Sequence, residues 1–363
     1  MTNSVGRSAN DVIDDDPRSC QGRHHQHAAP ARSHTVIVTQ RSAGDVPIIA
    51  KEFVCAMTSS TQLRSPMRFD VSDVIGEQAS LAATHYPARA HAAARAVLVC
   101  LPGGTYSREY WDLNVPGHRG YSFADFATEN GYAVVTIDPL GTGESSKPVR
   151  DFDFADIAAT LARAVSALPA LTGNHAPPVA VAHSLGGYLA ITQQALFSSY
   201  AGLAVLGCTN QHVAPLNLDP AFIARSATPE GHAALAREIL SALPQPYFEG
   251  PREHLQSWFH LSDVPADVVA ADSVASVVPR VFGTAMIPGV VAELAAQIDV
   301  PVLIGYGVVD VSPDPRAEAR LYCSSPDITT VVLADSAHCH NMASSRHRLW
   351  RRLLGWTETV ARQ

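Results

Sequence analysis

The stretch with the most chemical content is Val179-Ala180-Val181-Ala182-His183-Ser184-Leu185-Gly186-Gly187-Tyr188. A run of β-branched and alanine residues delivers a serine to two glycines and passes into the helix-compatible Tyr188-Leu189-Ala190-Ile191-Thr192-Gln193-Gln194. A strand that ends on a serine and reverses at once into a helix is a nucleophile elbow, with the serine Oγ exposed on a strained turn. Strand and helix pass closely there, so the positions two before and two after the serine must be small; Ala182 and Gly186 occupy them. Glycine is usual at the first of these, so Ala182 asks the turn to hold one extra methyl group. A serine hydroxyl is a weak nucleophile at neutral pH. It needs a base within about 3 Å and an orienting group behind that base.

The elements that must position such a serine are legible as apolar runs. Ala96 to Leu101 and Tyr132 to Ile137 read as buried core strands, as do Leu203 to Gly207, Pro301 to Tyr306 and Thr329 to Leu333. Phe154, Ile157, Leu161, Val165 and Leu168 recur at helical spacing, and an amphipathic helix is expected over Arg346 to Val360. Alternating strands and helices imply a mostly parallel α/β sheet covered on both faces. Residues 211–295 interrupt the alternation with helix-like pieces (Ala233 to Leu243, Val268 to Val278, Val290 to Ile298) punctuated by proline and glycine. They are expected to form a helical cap over the carboxyl ends of the strands, inserted in a core of residues 35–210 and 296–363. Residues 1–34, rich in Asp, Ser, Arg and His, are expected to be a disordered tail. Two or three extended segments from His34 to Val71 suit antiparallel strands at a sheet edge.

Composition narrows the function. A formal charge of −8 and a pI near 6.0 leave no electrostatic footprint for nucleic acid. No run approaches the roughly 20 apolar residues of a membrane span. The six cysteines show no CxxC pair, and Cys100 and Cys208, in or beside apolar runs, are expected to be buried thiols. Without a disulfide framework or a secretion-like segment, a cytoplasmic location is expected. There is no HExxH or paired metal spacing, so neither metal nor cofactor is expected.

From residue 90 to 355 the chain resembles an α/β-hydrolase. The likeness rests on the Pro102-Gly103-Gly104 loop, the Asp138 to Ser145 turn, the Ser184 elbow, Asp310 after a strand and His338 after the last strand, in that order. The resemblance implies Ser184 as nucleophile, His338 as base and Asp310 as orienting carboxylate. Ala337 stands where the family usually has glycine, which leaves His340 as an alternative base. His183 should point away from Ser184 as a packed core histidine, Asp335 should cap a turn, and Asp138 should have a structural role. The oxyanion of an acyl-transfer intermediate needs about two preorganised donors. Leu185, at the start of a helix, offers one backbone N–H, and the resemblance places the second at Gly104 or, alternatively, Thr105. Tyr106, Tyr110 and Trp111 fall where the family's acyl pocket usually opens, and Trp258, Phe259 and His260 could close over it.

The leading expectation is a serine hydrolase that cleaves a small-molecule carboxylic ester through an acyl-enzyme. The same residues would serve an amide, peptide or lactone hydrolase. The Pro102-Gly103-Gly104 loop is partly similar to that of proline iminopeptidase-type members, whereas haloalkane dehalogenase chemistry would need an aspartate at position 184. A non-catalytic ligand-binding relative would not require all three of Ser184, Asp310 and His338.

Overall fold

The computed structural model describes residues 64–89, 93–243, 246–250, 252 and 255–362. The expected N-terminal tail and the extended segments up to residue 63 lie outside the described residues. In chain order the strands are β1 (Ser65–Asp70), β2 (Ser80–Tyr86), β3 (Val97–Leu101), β4 (Ala133–Ile137), β5 (Pro178–His183), β6 (Leu203–Leu206), β7 (Tyr247–Phe248), β8 (Val278–Pro279), β9 (Val302–Gly307) and β10 (Ile328–Leu333). Eight of them form one sheet in the order β1-β2-β4-β3-β5-β6-β9-β10. The β1/β2 and β2/β4 pairs are antiparallel and every other pair in this sheet is parallel. β1, the last of the extended segments expected between His34 and Val71, lies at the antiparallel edge of the sheet, and its partner β2 lies beyond that range.

Parallel strands need crossovers, and the crossovers place helices on both faces. The strand periodicity of two is visible in the core. Val97, Val99 and Leu101 of β3 join one apolar cluster, with Ile157, Leu161, Leu189 and Ile191 of the helices Phe154–Thr172 and Leu185–Phe197. Leu98 and Cys100 join the other, with Phe123, Leu349, Trp350 and Leu353 of the helices Phe123–Glu129 and Arg346–Val360. The helix Phe154–Thr172 starts on a reciprocal cap between Asp153 and Asp156 and stops at Gly173, which takes the left-handed conformation. By length and composition this helix could cross a membrane, contrary to the sequence expectation that no such run exists. Its Ile157, Ala158, Leu161 and Ala164 are instead buried against the sheet.

The segment 211–295 carries the helices Pro220–Ser226, Pro229–Ala242, Gln256–Phe259, Ala266–Asp272 and Ala292–Ala295. It is not wholly helical. The helix expected over 268–278 ends at Asp272, and the chain then extends into β8, which pairs antiparallel with β7. Pro279 ends that strand, and a turn of 3-10 helix follows at Arg280–Met286.

Candidate active site

Ser184 closes β5 and precedes the helix Leu185–Phe197, with φ 52° and ψ −119°. A serine in this region is strained, and the surroundings must hold it there. Its N–H donates to the Leu206 carbonyl at 2.8 Å, and its own carbonyl accepts from Gly187 N–H at 2.8 Å. The need for glycine at 186 is steric: a Cβ there would stand 2.6 Å from the carbonyl oxygens of both Leu101 and Pro102. The elbow therefore packs directly on the end of β3 and the loop that follows it. In that loop a Cβ on Gly103 would lie 3.2 Å from Ser184 Cβ, and one on Gly104 3.7 Å from Leu185 Cβ. The first N–H groups of a helix have no intrahelical acceptor, and the Gly103-Gly104-Thr105 turn lies directly against the start of this helix at Leu185.

Asp310 follows β9 and His338 follows β10; the two strands are parallel neighbours, so their outgoing loops emerge together. The loops converge because residue 307 is glycine, where a Cβ would fall 2.4 Å from the Ser336 carbonyl oxygen. Asp310 Oδ1 meets His338 Nδ1 at 2.7 Å, and both side chains are buried. The same carboxylate accepts from Gly307 N–H and Val311 N–H, each at 2.8 Å, and meets His340 Nε2 at 2.8 Å. Burial alone would raise the Asp310 pKa. The two imidazoles beside it outweigh that and hold the carboxyl well below the usual carboxylate range.

His183 is buried, as the sequence suggests, and stacks on Tyr110 with ring centroids 4.6 Å apart. Its Nε2 donates to the His338 carbonyl oxygen at 2.9 Å, so it also holds the backbone of the histidine loop. Burial, with His338 and His340 nearby, pushes its pKa well below the usual imidazole value. From the opposite side, His338 N–H donates to the Trp258 carbonyl at 3.1 Å and Cys339 N–H to the Phe259 carbonyl at 2.9 Å.

Ser184, Leu185, Gly104, Thr105 and His338 line one cavity of about 660 Å³. Its other walls are almost entirely hydrocarbon, including Leu216, Phe222, Ile239, Leu243, Trp258, Phe259 and Phe282. No charged side chain lines it among the described residues. Ser184 and His338 thus border one apolar chamber.

Tyr106, Tyr110 and Trp111 do not line this chamber. They are buried behind the loop: Tyr110 lies on His183 and Trp111 packs edge-on against Phe123. The turn at Arg108–Trp111 is drawn inward because Asp138 accepts from Arg108 N–H and from its guanidinium, which gives Asp138 the structural role expected of it. Asp335 differs from expectation: its carboxylate pairs with Arg348 at the surface, 3.0 Å away, and its carbonyl accepts from the Ser345 hydroxyl, ten residues on. His340 is absent from the cavity wall and shares Asp310 with His338 instead. His260 turns away from the chamber to Asp272, with Nε2 3.1 Å from Oδ2.

His260, Asp272 and Cys339 offer nitrogen, oxygen and sulfur within 4.8 Å of one another, a set that could in principle hold a metal. Hydrogen bonding already engages Asp272 and Cys339, while His260 Nδ1 is buried without a partner. Tyr106 OH donates to Asp272 Oδ2 at 2.7 Å and meets Cys339 Sγ at 3.1 Å, and the Arg252 cation lies 3.9 Å above the Tyr106 ring. Burial, followed by the Asp272 charge, pushes the Cys339 thiol pKa up, away from the thiolate that a metal requires. Cys100 and Cys208 are free buried thiols, as their apolar settings imply.

Comparison with solved structures returns proteins of this architecture. A thermophilic esterase from Thermogutta terrifontis, with malate bound, is 18% identical at a TM-score of 0.53, covering 82% of this chain and 99% of its own. A soluble variant of monoglyceride lipase from Saccharomyces cerevisiae, in complex with a substrate analogue, is 16% identical at 0.60, covering 83% and 96%. Proline iminopeptidase of Mycobacterium smegmatis is 16% identical at 0.51, covering 82% and 99%. At such identities these likenesses speak to the fold. Comparison with curated proteins returns no match. The family description that fits the sequence is the alpha/beta hydrolase family, matched over residues 98–351. With that match spanning most of the chain, and with the sheet order and loop positions above, the protein belongs to the alpha/beta hydrolase family.

Proposed function

We propose that the protein is a serine hydrolase of neutral carboxylic esters that carry an apolar acyl group. The observation that carries this reading is the position of Ser184 and His338 at the polar end of a chamber otherwise walled by hydrocarbon. In the proposed reaction Ser184 Oγ attacks the ester carbonyl while His338 Nε2 takes its proton. Asp310 Oδ1 holds the Nδ1–H tautomer and faces the imidazolium that forms. The oxyanion meets the N–H groups of Leu185 and of Gly104 or Thr105. Collapse expels the alcohol, which takes the proton from His338, and water then cleaves the acyl-enzyme by the same steps in reverse order. Residues 211–295 act as a cap whose side chains accept the acyl chain. A cavity of 660 Å³ falls within the range of about 300–1,000 Å³ typical of small-molecule sites. A substrate with a free amine or carboxylate beside the scissile bond would find no counter-charge in its walls among the described residues.

The test is turnover of p-nitrophenyl esters from acetate to dodecanoate by the wild type and by Ser184→Ala, with fluorophosphonate labelling of both. Turnover that rises with chain length and falls at least about a thousandfold in Ser184→Ala is expected. Neither turnover nor labelling in the wild type would sink the reading. Labelling at Ser184 without ester turnover would replace the ester with an amide or lactone on the same residues.

A further inference from the structure

Thr105 has φ 66°. For a β-branched residue this backbone conformation is an outlier that neighbouring contacts must impose. The contacts come from the segment 211–295. The Thr105 carbonyl oxygen accepts from Ser276 N–H at 2.7 Å and from the Arg252 guanidinium at 3.0 Å. The same guanidinium, buried, donates to the Asp272 carbonyl at 2.6 Å and to the Val274 carbonyl, and stacks on Tyr106. Gly250 lets the chain approach this closely: a Cβ there would stand 3.0 Å from Thr105 Cγ2.

These bonds fix more than a carbonyl. The peptide joining Thr105 to Tyr106 is held at both ends, its oxygen by Arg252 and Ser276, its N–H by the Gly103 carbonyl at 3.2 Å. With that plane fixed, ψ and φ at Thr105 together set the direction of the preceding peptide, which carries the Thr105 N–H and joins it to Gly104, and the positive φ is part of that setting. Gly104 and Thr105 both line the cavity beside Ser184. Threonine by itself would relax to negative φ and rotate that peptide away.

We propose that Arg252 is a positioning residue for the oxyanion hole: by clamping the Thr105 carbonyl it holds a strained backbone in the orientation that presents the loop donor to the tetrahedral intermediate. The proposal rests on the ester-hydrolase reading and adds to it that the cap completes the catalytic loop as well as enclosing the acyl chain. Arg252 suits this task because one planar fork serves three carbonyls, where a lysine ammonium would act as a point charge.

The test compares Arg252→Gln and Arg252→Lys with the wild type, each in a Thr105 and a Thr105→Gly background. Glycine reaches positive φ without help, so it should need the clamp less. The readouts are kcat and KM on p-nitrophenyl butyrate, and the affinity for an alkyl trifluoromethyl ketone, which forms an oxyanion on Ser184. In the Thr105 background Arg252→Gln should lower kcat roughly 10- to 100-fold, less than deletion of an oxyanion donor, with KM within about threefold. Ketone affinity should fall in parallel, and Thr105→Gly should reduce the size of the Arg252→Gln effect. Where Arg252→Gln does not fold, Arg252→Lys is judged on the same readouts. Wild-type kcat in a folded variant, or an equal loss in both backgrounds, would overturn the proposal while leaving the ester-hydrolase reading intact. A wild type that neither turns over esters nor labels with fluorophosphonate overturns both.

Discussion

Nε2 of His340 lies 2.8 Å from Oδ2 of Asp310, on the carboxylate oxygen opposite the one that meets His338. One buried carboxylate therefore orients two imidazoles, of which only His338 reaches the cavity. The proposed division of labour predicts that His338→Ala loses at least about a thousandfold in kcat, whereas His340→Ala loses about tenfold. His340→Gln, which keeps an N–H donor for Asp310, should stand between His340→Ala and the wild type. Steady-state kinetics on one p-nitrophenyl ester decides it. An inactive His340→Ala beside an active His338→Ala would make His340 the base.

Stability should respond to pH through His183. Burial, with His338 and His340 close by, holds its pKa well below that of an exposed imidazole. The unfolded chain takes a proton on this residue below about pH 6.5, while the folded chain does not. The contribution is therefore complete above about pH 6.5 and is lost as the pH falls beneath it, by at most about 1.4 kcal/mol per pH unit. Urea unfolding at pH 7.5, 6.5 and 5.5 should show a shallower decline for His183→Gln than for the wild type. Parallel declines would refute the assignment.

Chain-length preference should respond to Gly283 on the cavity wall. A Cβ there would meet Leu243 Cδ1 at 2.4 Å and Ile239 Cγ2 at 3.0 Å. Leu243 also lines the cavity, so its displacement alters the wall. Gly283→Ala should thus lower kcat/KM for decanoate and longer esters about tenfold, within the range one methylene can exert, and change acetate turnover little. A uniform loss across the ester series would mean that the wall does not hold the acyl chain.

At the elbow, Gly186→Ala meets two backbone oxygens rather than movable side chains. Strain of this kind costs about 1–3 kcal/mol or more. The variant should unfold at lower urea than the wild type, and any folded fraction should label more slowly with fluorophosphonate. Unchanged stability would show that β3 and the elbow can separate at little cost.

What the sequence disclosed was local in origin. Ser184, Asp310 and His338 each follow an apolar run, and a run of β-branched residues followed by small ones marks a strand end within a few positions. The same logic located β3, β4, β9 and the terminal helix Arg346–Val360. It could not orient Tyr106, Tyr110 and Trp111, because an aromatic residue after a glycine loop packs equally well toward a pocket or behind it. The pull of Asp138 on Arg108, 30 residues apart, settles that direction. Arg252 escaped notice for a related reason. Its partners are backbone carbonyls, one of them 147 residues away, and a carbonyl leaves no mark on residue type. The Tyr106–Cys339 contact spans 233 positions with no recurring pattern between them.

On the proposed reading, the two main-chain bonds from His338 and Cys339 to the carbonyls of Trp258 and Phe259 would make access and competence opposing states. If the stretch bearing Trp258 and Phe259 lifted away to admit substrate, it would withdraw acceptors from the loop that carries the base. An open enzyme would be a disarmed one, and hydrolysis would begin only after the chamber had shut around its guest. Turnover would then be timed by closing and reopening as much as by bond cleavage, and solvent viscosity should slow this enzyme on its fastest esters more than on its slowest.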